Sequence, residues 1–243
     1  MGHPEFSIFE LTGRARTHVV DLTEPRCSLH RDVVEPFLAM RRAAAEDGID
    51  LVPFSSFRDF DKQLDIWNAK ARGQRDLRGP DGELLDAAAL DEAGRVEAIL
   101  CWSALPGASR HHWGTDLDVL DRAALPPGYR VLAVPQEFAA DGVFARLDAW
   151  LAAHAARFGF YRPYTTWRGG VRPEPWHISH APVASAALAQ YSEAVLRQAL
   201  EEAEIDGRAV IEGRLAELVT RYVMNVDPPP AAALSAAGAP RPA

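Results

Sequence analysis

The sequence has two cysteines, Cys27 and Cys101, far apart and in no C-x-x-C pair, so thiolate metal ligation of that kind is excluded. Buried free thiols are the expectation for both, one disulfide between them the alternative, and neither is assigned to catalysis. There is no stretch of about 20 apolar residues of the kind that crosses a bilayer. No Lys/Arg-rich run occurs, and the net charge is −8. Both features speak against a nucleic-acid partner, whose phosphates need a basic surface. Met1 to Phe9 lacks the basic start and sustained apolar segment of a signal peptide, so a cytoplasmic location is expected, with a periplasmic or released one open by another export route. No internal repeat argues for a second unit.

What is present is enough for one substantial core: 243 residues with 48% hydrophobic content. The sequence predicts one globular domain over residues 1–226 and a disordered Pro/Ala-rich tail over 227–243. Arg31 to Glu46 reads as a helix closed by Gly48. Leu51 to Phe54 reads as a buried strand running into a turn at Arg58. The next helix, starting near Phe57 and reaching Ala71, carries Phe57, Phe60, Leu64 and Trp67 as an apolar stripe. Gly73 to Gly94 is polar and Gly/Pro-punctuated, an irregular excursion. Val143 to Phe158, Val183 to Glu204 and Ala209 to Val223 look helical. Short strands near the polar motifs with flanking helices give an α+β class.

Two stretches carry chemistry: Ser109-Arg110-His111-His112-Trp113-Gly114-Thr115-Asp116-Leu117-Asp118, and Glu174-Pro175-Trp176-His177 about sixty residues later. Together they offer imidazoles, carboxylates and a spare Glu. A hydrolytic zinc centre needs that inventory, because three protein ligands leave one position for water and a nearby carboxylate takes its proton. Asp116 to Leu120 alternates as a strand, with Asp116, Asp118 and Leu120 on one face. A turn at Gly114 lets His111 fold back toward Asp118. In Trp176-His177-Ile178, a second short strand, His177 points away from its apolar neighbours, and Pro173 and Pro175 hold extended backbone around Glu174. A polar side chain so placed needs a partner, and a metal satisfies it.

Ser109 to Asp118 resembles the Ser-x-His-(six residues)-Asp signature of the D-alanyl-D-alanine carboxypeptidase family of zinc peptidases, which includes the vancomycin-resistance D,D-carboxypeptidases and D,D-dipeptidases. Glu174 to His177 matches the family's Glu-x-x-His, and Ser55-Ser56-Phe57-Arg58 with Gln63 matches a third element. Order and spacing agree across residues 50 to 180.

The resemblance implies a small, largely antiparallel sheet with helices around it, and one zinc ion per chain on His111, Asp118 and His177. It implies Glu174 as general base and then acid, and Arg58 as the cation that steadies substrate or oxyanion, with Ser109 and Gln63 lining the pocket. Asp116 stands where the family commonly has a small apolar residue, so it is a second carboxylate that either supports a ligand or competes as one. His112, beside an implied ligand, has packing or substrate contact as its alternative. Arg58 read locally is either a cation in a helix's first turn or a surface ion pair with Asp59 or Asp61.

The expected activity is hydrolysis near the C-terminus of a peptidoglycan stem peptide. L,D-carboxypeptidase, D,D-dipeptidase and endopeptidase variants use the same chemistry, and a non-catalytic zinc-containing peptide-binding module is the rival from another class. Oligomeric state is not legible.

Overall fold

The computed structural model describes residues 4–236. A one-turn helix α1 (Ile8–Leu11), capped by Ser7, leads into a hairpin of β1 (Val19–Thr23) and β2 (Arg26–His30). Helix α2 (Val34–Glu46) buries Phe37, Met40 and Ala44, and β3 (Leu51–Ser55) follows. Helix α3 (Phe60–Ala71) begins where Asp59 accepts the Lys62 N–H at 2.7 Å. The helix thus starts three residues later than the expected Phe57, and Arg58 lies in the turn before the cap, outside the first helical turn.

Within the polar excursion after Gly73, β4 (Leu77–Arg78) and β5 (Leu84–Leu85) pair as a small hairpin, and α4 (Glu92–Leu100) follows an Asp91 cap. Then come β6 (Asp116–Asp121), α5 (Ala145–His154), β7 (Phe160–Tyr161) and β8 (His177–His180). The expected long helix from Val183 to Glu204 is two, α6 (Ala181–Gln190) and α7 (Glu193–Leu200). Ser192 breaks the run because its hydroxyl accepts the Val195 N–H, which favours a new start over continuation. Short helices α8 (Arg208–Gly213) and α9 (Leu215–Leu218) lead into a π turn over Val219–Met224.

The central sheet has the order β3-β6-β8-β7, all antiparallel. Pro53 sits in β3, an edge strand, where its missing N–H is tolerated, and a register shift between Pro53 and Ser55 sets Ser55 opposite Asp118. Every residue of β6 is buried. Leu117 and Val119 join a connected hydrophobic core with Trp67, Trp113, Phe37, Phe144 and Phe160, while Asp116 and Asp118 occupy the other face. The α+β class is therefore as the sequence indicated.

The stretch after Asp227 departs from the expected solvated tail over its described part. Asp227 accepts the backbone N–H groups of Thr165 and Thr166 at 2.8 and 3.1 Å. Beyond the prolines, α10 (Ala231–Ser235) packs Ala233, with 0% exposure, beside Tyr161 and Ala181. A carboxylate anchor and a side chain small enough for close approach hold this segment down. Residues 237–243 of the expected tail lie outside the described residues.

Candidate metal centre and cleft

The site is assembled by register. Asp118 in β6 and His177 in β8 are direct cross-strand partners, and such pairs bring side chains on one face into contact. His111 arrives from a 3-10 turn over Arg110–Trp113, which Gly114 ends at φ +67. Any side chain at Gly114 would lie 2.7 Å from the backbone nitrogen of His30, so both conformation and space demand glycine.

One ligand atom from each of His111, Asp118 and His177 lies within 4.8 Å of the others. His111 Nε2 is 3.3 Å from Asp118 Oδ2, and His177 Nδ1 is 3.2 Å from Asp118 Oδ1. Asp118 Oδ1 is buried yet accepts no hydrogen bond. Two imidazole nitrogens and an unsatisfied carboxylate oxygen converging in this way fit a divalent cation that takes N and O donors in tetrahedral geometry. The far nitrogens are also held. His111 Nδ1 donates to the Ser56 carbonyl at 2.9 Å, and His177 Nε2 donates to Asp116 Oδ1 at 2.9 Å. Each imidazole is thereby fixed with its free nitrogen turned to the cluster.

Asp116 is thus the support of His177, the first of the two roles open to it. Its carboxylate also receives Arg110 Nε at 2.8 Å and the hydroxyls of Thr115 and Ser179. Burial alone would raise its pKa, but the Arg110 guanidinium and His177 hold it well below the usual carboxylate range. The same contest, won by His111 and His177, keeps Asp118 ionised. Burial would depress His177, but the carboxylates of Asp116, Asp118 and Glu174 around it push it well above 6.5.

Glu174 Oε2 stands 3.4 Å from His177 Nδ1. Burial raises its pKa, and His177 only partly offsets this. The Tyr164 ring meets the His177 ring edge-on at 5.1 Å and forms another wall.

Arg58 makes no ion pair with Asp59 or Asp61. Its guanidinium donates to Gln63 Oε1 at 2.7 Å and to Ser55 Oγ at 3.0 Å, and burial lowers its pKa against the pull of Asp118 and Glu174. Gln63 is fully buried and reaches on to the Ala104 carbonyl at 2.7 Å, so it buttresses Arg58 from behind where pocket lining was expected. Ser109 does line the cleft.

His112 faces away from the cluster. Its Nδ1 donates to the Arg58 carbonyl at 2.6 Å and its Nε2 accepts the Gly107 N–H at 3.0 Å. Burial pushes its pKa down to about 3, which keeps the imidazole in the neutral form both bonds require. With Arg58 N–H donating to the His111 carbonyl at 3.2 Å, the Arg58 turn and the His111-His112 turn are bonded reciprocally.

The cluster opens into a cleft of about 590 Å³ lined also by Trp102, Trp176 and the cations Lys70, Arg75, Arg78 and Arg130. The motifs gave no sign of Lys70, because it belongs to none of them and sits on a helix whose pattern points only to the core. Cys27 and Cys101 are both unpaired and away from the cluster.

An antiparallel sheet presenting a buried His/Asp/His set that could hold a metal ion, beside a buried Glu in a cleft, defines an α+β class with a candidate metal centre. The model of the VanY family of D-alanyl-D-alanine carboxypeptidases matches residues 26–183, nearly two thirds of the sequence, and the chain belongs to that family of peptidases. Two uncharacterized proteins of Haemophilus influenzae are similar to it. One is 43% identical over 98 residues, 39% of this chain and 67% of that protein. The other is 34% identical over 128 residues, 52% of this chain and 95% of that protein. Among solved structures, VanYB in complex with D-alanine-D-alanine is 20% identical, covers 80% of this chain and 87% of its own, and superposes with a TM-score of 0.48. Among the described residues no helix is long and apolar enough to cross a membrane.

Proposed function

We propose that the chain is a zinc-dependent peptidase acting near the C-terminus of peptidoglycan stem peptides, with D-Ala-D-Ala carboxypeptidase activity as the leading case. The observation that carries this is Glu174, a carboxylate 3.4 Å from a ligand nitrogen, beside a three-residue donor set that leaves a coordination position over. A closed structural site has no use for such a group.

In this reading His111 Nε2, Asp118 and His177 Nδ1 hold one zinc ion per chain. Zinc bound there supplies Lewis-acid polarisation of the substrate carbonyl and makes water acidic enough to attack at neutral pH. Glu174 accepts the proton of the attacking water and delivers it to the departing amine. Its burial, which raises its affinity for a proton, suits a group that must both take and give one. Arg58 has no carboxylate within 4 Å among the described residues and is braced by Gln63 and Ser55. A guanidinium so braced pairs bidentately with the free carboxylate of a peptide terminus, and this favours removal of a C-terminal residue over internal cleavage. Ser109 supplies a further polar contact in the wall.

Glu174→Ala is expected to retain zinc and fold while turnover drops by about 10² to 10⁴ fold. Retained turnover would remove Glu174 from the role, and loss of zinc would make it a ligand. Mass spectrometry of tetrapeptide, pentapeptide, cross-linked dimer and free D-Ala-D-Ala after incubation names the bond. Loss of one terminal D-Ala from pentapeptide is expected. Cleavage confined to tetrapeptide, dipeptide or dimer would assign the L,D-carboxypeptidase, D,D-dipeptidase or endopeptidase variant instead.

A further inference from the structure

The protein carries a net charge of −8, yet its cleft is walled by cations beyond those the peptidase reading uses. Arg110 is neutralised by Asp116 and Arg58 is assigned to the peptide terminus. That leaves Lys70, Arg75, Arg78 and Arg130, the first three of which come from α3 and the chain that follows it into β4. Among the described residues the sole carboxylate within 4 Å of any of them is that of Asp76, 3.9 Å from Arg78. Lys70 Nζ is 2.7 Å from the Ser103 hydroxyl, and Arg78 donates to the Gly82 carbonyl at 2.8 Å. Cations gathered with a single carboxylate in ion-pair range repel one another, and the strain is relieved when an anion binds. Lys70 registers it: burial together with Arg58, Arg75 and Arg78 pushes it down to about 8 even though Glu174 opposes them.

Their position relative to Arg58 is fixed by α3. Lys70 follows Gln63, the brace of Arg58, by seven residues, which places both on one helix face about 10 Å apart along the axis. The two side chains reach consecutive residues, Ser103 and Ala104, so Lys70 and the Gln63 that braces Arg58 from behind are tied to one stretch of chain, and Arg58 and Lys70 line the same cleft. The chain then turns at Gly73 into β4, bringing Arg75 and Arg78 to the same cleft.

We propose that Lys70, Arg75 and Arg78 form a second anion subsite, which binds the carboxylate of an acidic residue in the substrate on the N-terminal side of the residue whose terminus Arg58 holds. The proposal rests on the peptidase reading for the direction in which the peptide lies. The substrate class it defines is a peptide with an internal carboxylate besides its terminal one, in preference to a free dipeptide or a peptide whose internal carboxylate is amidated.

The test compares N-acetylated peptides ending in D-Ala-D-Ala in two pairs, each pair differing only in Glu or Gln, placed two residues before the C-terminus in one pair and three in the other. Wild-type protein is expected to favour the Glu peptide by at least about tenfold in Kd and KM at low salt, with the preference shrinking as salt screens it. In Lys70→Met, and separately in the double variant Arg75→Gln with Arg78→Gln, the ratio is expected to fall toward one. Lys62 and Lys70 are the chain's two lysines, so reductive methylation with carbon-13 gives a readout in the unmutated protein. The Lys70 signal is expected to move with the Glu peptide and not with the Gln peptide. Equal binding within both pairs, or a ratio unchanged in both variants, overturns the subsite. Preferential binding of the Glu peptide without cleavage of either would keep the subsite and overturn the peptidase reading.

Discussion

Asp116 holds a charge with no exposure to solvent, clamped between Arg110 and His177. Asp116→Ala removes the partner of a buried guanidinium and frees the His177 ring to rotate. Zinc affinity is expected to fall about 10 to 100 fold, the usual cost of losing the group that orients a metal-ligating imidazole. Stability is expected to fall by about 3–5 kcal/mol because Arg110 is left buried and unpaired. Chelator competition reads the first and urea unfolding the second. Asp116→Asn keeps an acceptor for His177 but not the charge, so it separates the two. If Asp116→Ala bound zinc with unaltered affinity, the support assigned to Asp116 would be wrong.

Three elements meet behind the site: the turn after α1, the turn before α3 and the 3-10 turn bearing His111 and His112. Gly13, at φ +73, lies where an added methyl would come 2.3 Å from His112 Nδ1, the atom that holds the Arg58 carbonyl. Gly13→Ala is expected to cost about 2–4 kcal/mol from left-handed strain and overpacking together. It is also expected to raise KM by displacing Arg58, and thermal unfolding with steady-state kinetics reads both. This contact was hidden from the sequence because it joins residues about a hundred positions apart through packing alone. The strands of the site were legible for the opposite reason: alternation along Asp116 to Leu120 and the lone polar position in Trp176-His177-Ile178 are local patterns. The β1–β2 hairpin was missed because strand pairing, more than any alternation, defines it. Propensity alone ran α6 and α7 together, since it does not weigh a single cap at Ser192. The β4–β5 hairpin, and with it the cationic wall, lay inside a segment whose polarity suggested only irregular structure.

Across the molecule, four buried histidines outside the metal cluster favour the neutral form when folded. Burial pushes His30 and His180 down to about 4 and His112 to about 3, and it lowers His18 as well. In the unfolded chain each ionises near 6.5, so as pH falls from 6.5 toward 4 the unfolded state takes up protons that the folded state does not. Stability is therefore expected to be complete above about pH 6.5 and to decline through this window. His177, raised in the absence of metal, adds stability only as pH falls toward 6.5 and is level below it. Glu174, also raised, opposes the decline as a single group. Urea midpoints at pH 7.0 and 5.0, taken with a chelator so that metal release does not contribute, check this. An unchanged midpoint would show that these histidines open to solvent.

The reciprocal bonding of the Arg58 and His111 turns has a thermodynamic counterpart. His111 donates to Ser56, Arg58 donates to His111, and His112 donates to Arg58, so the residues proposed to hold the ion and the peptide terminus share one stretch of backbone. Whatever orders the first orders the second. Under the proposed function, ion and peptide carboxylate are expected to be linked ligands, each tightening the other by the same factor, so that the occupied cleft behaves as a cooperative unit.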